Sequence, residues 1–242
     1  YGQFMNNIMK QKLIFISGWG CDETVWSPII EKLGYNHCCF RWWECLSSSS
    51  NENSLYKFLS NCSKPVILVG WSLGAFISLS AAIQLPSKIS GLFLLSPTAK
   101  MIADEGYTGA SLIDIKAMKL LVKKSADKLA NNFFSMCLWP EKDNVLKKNL
   151  IKKYFKIEKD FLTQGLNYLM ETDIRNNLKL INQPVKIIHG DSDKIINISN
   201  GFFLNKHLRN SSITVCENKG HFIFKDNIDS IVQQLIKFES EI

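Results

Sequence analysis

Gly70-Trp71-Ser72-Leu73-Gly74 follow the apolar run Pro65–Val69 and lead straight into a helix-like segment, Ala75–Leu85. A chain that reads strand, sharp turn, helix is committed to a βα unit at this point. The glycines stand two residues either side of the serine, where a Cβ would clash as the helix folds back against the strand. The turn lifts Ser72 to its apex, and the helix N-terminus directs free N–H groups and the positive dipole end at the same spot, which favours a developing oxyanion. Five-residue matches to G-x-S-x-G arise by chance. The buried-type strand directly before this one makes Ser72 a candidate nucleophile.

The rest of the chain is read outward from that unit. Lys12–Ile16 predicts a buried strand ending in Ser17-Gly18-Trp19-Gly20, and Glu23–Leu33 has helical spacing with Val25, Trp26, Ile29, Ile30 and Leu33 on one face. Cys38–Trp42 predicts the next strand, Ser47–Ser50 a polar loop and Leu55–Leu59 a short helix. After the turn unit, Gly91–Leu95 is another apolar strand, closed by Ser96-Pro97. From Thr98 to about residue 180 strand signals disappear and helical periodicity dominates, as in Leu112, Ile115, Met118, Leu121 and Val122. Strand-type sequence resumes at Val185–His189 and again at Ser212–Val215, before a last amphipathic helix, Ile228–Phe238. Strands alternating with helices argue for an α/β fold, a mostly parallel, doubly wound sheet covered on both faces. The helical block argues for a cap inserted after one strand. We therefore expect a core from residues 5–97 and 181–242 and a cap from 98–180.

Composition narrows the setting. The 242 residues suit one sizeable domain, and 46% apolar against 21% charged is ordinary for a globular chain. No apolar run is long enough to cross a bilayer and no signal peptide is legible, so we expect a cytoplasmic protein without a membrane partner. The seven cysteines are odd in number and lack C-x-x-C spacing, which reads as reduced thiols acting as small apolar residues. The net charge is +7, and twelve lysines against six acidic residues between Ala110 and Asp160 contribute +6 of it. That is either a solvated helical face or a docking face for something anionic. Nucleic acid is a poor candidate, because arginine is scarce and no reading motif accompanies the charge.

A serine nucleophile needs a base and a group that orients the base. His189-Gly190-Asp191-Ser192-Asp193 offers two carboxylates at the C-terminal end of a strand, and Asn218-Lys219-Gly220-His221 offers a histidine in the loop before the last helix. The order Ser72, Asp193, His221 fits a catalytic triad; we assign Asp193, while spacing alone leaves Asp191 open. His37 and His207 fall off the sheet's carboxyl edge, and His189 ends a core strand. The backbone N–H of Leu73, next after the nucleophile, and that of Trp19, between two glycines, are the expected oxyanion donors. There is no H-E-x-x-H, G-x-G-x-x-G or P-loop, so no metal and no cofactor is expected.

Taken together these motifs resemble the pimeloyl-[acyl-carrier protein] methyl ester carboxylesterases of biotin synthesis, the BioH-type branch of the α/β-hydrolase superfamily. The matching pieces are Gly18-Trp19-Gly20 with Trp26, the Gly70–Gly74 turn, Ser96-Pro97 and Gly220-His221. Gly165-Leu166-Asn167-Tyr168-Leu169 with Thr172-Asp173-Ile174-Arg175 points to this branch in particular. The chain departs from the family at Ser17-Gly18, where His-Gly is usual, and at Arg41–Cys45, where an Asp-x-Pro-Gly-x-Gly loop is common. The resemblance implies a serine esterase of the α/β-hydrolase fold acting on an ester carried by an acyl-carrier protein, and we expect a monomer. A lysine-rich cap suits an acidic carrier, with Lys128, Lys148 and Lys152 as expected contacts. Phe133, Phe134, Met136 and Leu138 would line the acyl channel, with Trp19 and His221 also touching substrate; equally, the four cap residues are simply the cap's core. Another ester hydrolase or thioesterase of the same fold is the first alternative, and a non-catalytic binding scaffold the second.

Overall fold

The computed structural model describes residues 12–34, 37–46 and 53–242; the expected Ser47–Ser50 loop and residues 5–11 of the expected core lie outside them. Among the described residues six strands form a single sheet: β1 (Leu13–Ile16), β2 (Cys38–Phe40), β3 (Val66–Trp71), β4 (Ile89–Leu95), β5 (Val185–Gly190) and β6 (Ser211–Cys216). Their order is β2-β1-β3-β4-β5-β6 and every pairing is parallel. Apolar runs in β1 and β3 are buried along their whole length, as a strand covered on both faces must be. The chain steps one way from β1 to β2 and the other way to β3. That reversal opens a crevice at the carboxyl ends of β1 and β3, the place where such sheets bind ligands. Ile16 pairs with Gly70, so the loop after β1 and the turn after β3 emerge side by side.

Two helical stretches differ from their expected form, for local reasons. Glu23–Leu33 divides into a 3-10 turn, Glu23–Trp26, capped by Asp22, and α1 (Ser27–Leu33), whose early Pro28 lacks the N–H that would continue the ladder. The expected strand Cys38–Trp42 stops at Phe40, because Arg41 and Glu44 cap a 3-10 turn, Trp42–Cys45, reciprocally. α2 (Ser54–Asn61) covers the expected short helix. α3 (Leu73–Gln84) begins immediately after the serine and is buried nearly all round, which its Gly, Ala and Ser positions permit. α8 (Ile198–His207) and α9 (Ile228–Ser240) complete the layers.

Between β4 and β5 lie α4 (Leu112–Lys124), α5 (Ala126–Cys137), α6 (Asn144–Tyr154) and α7 (Lys159–Glu171), the inserted helical cap. Its two ends are fastened together. Arg175 reaches Asp104 and Asp173, each at 2.7 Å, and Lys100 reaches the same two carboxylates at 2.7 and 3.3 Å. Single exposed pairs contribute little, but four charges sharing partners hold a fixed geometry. No helix among the described residues is long and apolar enough to cross a membrane.

Candidate active site

Ser72 sits at φ 56°, ψ −119°, a left-handed conformation that a non-glycine residue adopts only under constraint from its surroundings. The constraint is close packing of α3 onto the sheet. A Cβ on Gly70 would lie 2.5 Å from the Gly74 carbonyl oxygen, and one on Gly74 would lie 2.1 Å from that of Ile16. Both motif glycines are therefore required by space, and the turn they allow leaves Ser72 projecting into the crevice.

His221 and Asp193 converge on that serine. A carboxylate only accepts, so His221 Nδ1–H donates to Asp193 Oδ2 at 2.7 Å, which leaves Nε2 bare to accept from Ser72 Oγ–H at 2.8 Å. Asp193 and His221 are 5% and 0% exposed, so the relay is shielded from water. Asp193 Oδ1 accepts from the N–H groups of Ile195 and Ile196 at 2.8 and 2.9 Å. Burial opposes the Asp193 charge, yet the charge attraction and hydrogen bonds of His221 and His189 hold its carboxyl well below the usual range. Asp191, by contrast, is exposed and pairs with Ser192 Oγ. The geometry is that of a Ser-His-Asp triad running through Asp193.

Two supports of this relay escaped the sequence reading. Trp71 Nε1–H donates to the His221 carbonyl at 3.0 Å and its ring packs beside the imidazole, which fixes the loop carrying the base. His189, fully buried, donates Nε2–H to the Ile196 carbonyl at 2.9 Å, with Asp193 Oδ2 at 3.4 Å. It braces the turn that presents the carboxylate. A tryptophan inside the serine motif and a histidine two residues before the acidic pair were the available signals.

The loop after β1 borders the serine. Trp19 lies between Gly18, whose Cβ would come within 2.8 Å of the Trp71 ring, and Gly20 at φ 77°. Leu73 opens α3, so its N–H has no intrahelical acceptor. Among the described residues neither the Trp19 nor the Leu73 N–H donates a hydrogen bond to another backbone group outside the helix and strand ladders. Trp19, Ser72 and Leu73 form the floor of a cavity of about 650 Å³ roofed by α4, α5 and α7.

The walls of this cavity are mainly apolar, with Ile115, Met118, Phe133, Met136 and Leu166 among them. Phe133 and Met136 were expected there; Phe134 and Leu138 were too, and neither lines it. Phe134 is fully buried and turns away to pack on Phe133 and Phe155, while Leu138 is buried where the chain leaves α5. His221 is also absent from the lining, because it stands behind Ser72. Lys128, Lys148 and Lys152 are exposed on α5 and α6. The last two are four residues apart on one helix and share a face.

All seven cysteines are free. Burial pushes the thiols of Cys21, Cys45 and Cys137 up, and that of Cys39 up to about 12, so each stays protonated and weakly nucleophilic at neutral pH.

The profile of the Hydrolase_4 family, described as serine aminopeptidase, S33, matches residues 55–227. A protein of Aliivibrio salmonicida named pimeloyl-[acyl-carrier protein] methyl ester esterase is 23% identical, over 93% of this chain and 91% of its own. One of the same name from Wigglesworthia glossinidia brevipalpis is 29% identical over 76% and 75%. Among solved structures, an esterase from Exiguobacterium antarcticum superposes with a TM-score of 0.82 at 18% identity, covering 95% of this chain and 92% of the other. A bromoperoxidase from Bacillus anthracis gives 0.82 at 17%, covering 94% and 91%. Both share the fold.

Proposed function

This chain belongs to the Hydrolase_4 family (serine aminopeptidase, S33), and on that premise we propose that it is a serine carboxylesterase hydrolysing the methyl ester of a pimeloyl group held on acyl-carrier protein. The observation that carries the esterase reading is the Ser72–His221–Asp193 relay opening onto a largely apolar cavity. Support for the substrate comes from the names of the relatives, which extend over most of this chain, and from a cap whose exposed lysines suit an acidic carrier. In this reading residues 98–180 cover the substrate, and the core of 5–97 and 181–242 does the chemistry.

His221 Nε2 takes the proton of Ser72 as Oγ attacks the ester carbonyl carbon. The Oγ–C bond forms, and the carbonyl oxygen becomes an oxyanion held by the Trp19 and Leu73 N–H groups. Collapse breaks the bond to methoxide, which leaves as methanol with the proton from His221. Water then enters, gives a proton to His221 and attacks the acyl-enzyme. The second tetrahedral intermediate collapses, returning that proton to Ser72 and freeing the carboxylate. Asp193 holds the imidazole tautomer and stabilises its positive charge throughout.

The test is a comparison of kcat/KM for the carrier-bound methyl ester and for the same ester free in solution, with restored biotin-independent growth of a strain lacking its own esterase as the cellular readout. Strong preference for the carrier-bound ester together with restored growth supports the reading. Equal turnover of both without restored growth makes the protein a general small-ester hydrolase or thioesterase.

A further inference from the structure

The indole of Trp19 touches the cap on three sides. Its Nε1–H donates to the carbonyl of Leu162 on α7, a buried hydrogen bond of 2.9 Å between residues 143 positions apart. Its ring packs edge-on against Phe133 of α5 at 5.0 Å and against Phe155, just after α6, at 5.9 Å. The backbone around it has few preferences of its own. Glycines flank it on both sides, Gly20 at positive φ, and among the described residues the loop's backbone bonds outside the ladders are Ser17 N–H to the Phe40 carbonyl and Cys21 N–H to the Gly18 carbonyl, so the Trp19 N–H takes its direction largely from packing. A single glycine makes the approach of α7 possible. A Cβ at Gly165 would lie 2.7 Å from Trp19 Cδ1 and 2.6 Å from Trp42 Cζ3, both belonging to rigid, buried rings.

We propose that the Trp19 indole, hydrogen-bonded to the Leu162 carbonyl and seated against Gly165, is a tether through which the cap positions the Trp19 N–H as an oxyanion donor. The cap is then a working part of the catalytic site as well as its roof. Gly165 and the Trp19 side chain are positioning residues: they act through the backbone N–H, which alone faces the reacting oxygen. This rests on the assignment of Trp19 as an oxyanion donor under the proposed function. It also gives Gly165-Leu166, part of the segment diagnostic of the branch, a physical task.

The test compares Trp19→Phe, Gly165→Ala and the full-length protein carrying β-(3-benzothienyl)alanine at position 19, an isostere of tryptophan that lacks only the N–H. Tyr168→Phe is the control, because it removes a different link from α7 to the core, the bond of its hydroxyl to Ser80 on α3 at 2.8 Å. Each is assayed on a small p-nitrophenyl ester and for inhibition by a boronic acid that forms a tetrahedral adduct with the serine. We expect kcat to fall about ten- to a hundredfold in the three tether variants, the scale of a misplaced catalytic group, with KM changed less than about threefold. Boronate affinity should fall by the same factor as kcat/KM, and the losses in the double variant Trp19→Phe/Gly165→Ala should be clearly less than additive, since Gly165 acts in part through the Trp19 ring and in part through that of Trp42. Tyr168→Phe should stay within about twofold of the parent.

A benzothienyl variant that keeps its kcat and its boronate affinity overturns the tether. So does a Tyr168→Phe control that loses as much activity as the tether variants, because generic loosening of the cap would then explain them. Failure of the underlying reading looks different: Ser72→Ala would retain turnover, or the boronate would not inhibit the parent protein.

Discussion

The sheet edge and the cap meet at one cavity, yet they are built by different means. At the sheet edge backbone approaches backbone. Gly74 sits where a methyl group would strike the Ile16 carbonyl, Ser72 is forced to positive φ, and the Asp193 carboxylate is held by two N–H groups of its own turn. In the cap, side chains pack on side chains, and which ones face the cavity depends on how the helices rotate. Phe133 and Phe134 are adjacent and chemically identical, and only the first reaches the cavity. Chemistry that depends on backbone geometry tolerates few residue types; a packed helical surface tolerates many. The two regions should therefore respond to substitution in different ways.

The largest effect is expected at the edge. Ser72→Ala should reduce ester hydrolysis by about 10⁴-fold or more while leaving the circular dichroism spectrum unchanged, since the small side chain is lost without disturbing the elbow. Turnover near that of the parent would remove the elbow from the mechanism. Asp193→Asn follows, with an expected loss of about 10²- to 10⁴-fold in kcat, whereas Asp191→Asn should stay within about twofold. The reverse ranking would transfer the carboxylate role to Asp191.

Titration sharpens the same point. The Asp193 carboxyl is held below its ordinary range in the folded state, so its ionisation stabilises the fold above the unfolded value, about 3.9, and that contribution is lost as pH falls toward the folded value. In urea melts the stability of the parent relative to Asp193→Asn should shrink as pH is lowered below about 4. A difference independent of pH would mean that the carboxylate is not stabilised by its neighbours.

The cap should separate packing from binding. Phe134→Ala opens a hole in a fully buried site and should destabilise the protein by about 3–5 kcal/mol, with KM for a medium-chain ester nearly unchanged in the folded fraction. Phe133→Ala exposes its change to the cavity and should raise KM several-fold. Equal KM effects at both positions would mean that the two rings share the substrate surface.

What was legible in the chain follows the same division. The βα turn, the six strands, and the serine, acidic loop and histidine in their order could all be read, because glycine spacing, buried apolar runs and strand-end polar residues each have few structural solutions. The 3-10 turn at Trp42–Cys45 was not, since it depends on a reciprocal Arg41–Glu44 cap that reads locally as a continuing strand. α8 is not legible either, because Ile198–His207 carries no amphipathic stripe, although Asn197 caps it. The braces from Trp71 and His189 join residues distant in sequence or split by a turn, and no periodicity marks them. Whether Phe134 and Leu138 line the channel or belong to the cap's core is not legible either, because it depends on how α5 and the residue that ends it are turned.

The central claim is that the core supplies the reacting groups and that the cap, besides holding Trp19, selects what reaches them. The most direct measurement is kcat/KM of Lys148→Glu/Lys152→Glu on a carrier-bound methyl ester and on the free ester, at low and at physiological salt. Both lysines are exposed on α6, and exposed charges are screened beyond about 8 Å at physiological ionic strength. The account predicts a several-fold loss on the carrier-bound ester that added salt diminishes, with the free ester unchanged. Equal responses of the two substrates would contradict it, leaving the lysines as a solvated face and the cap without a part in choosing the substrate.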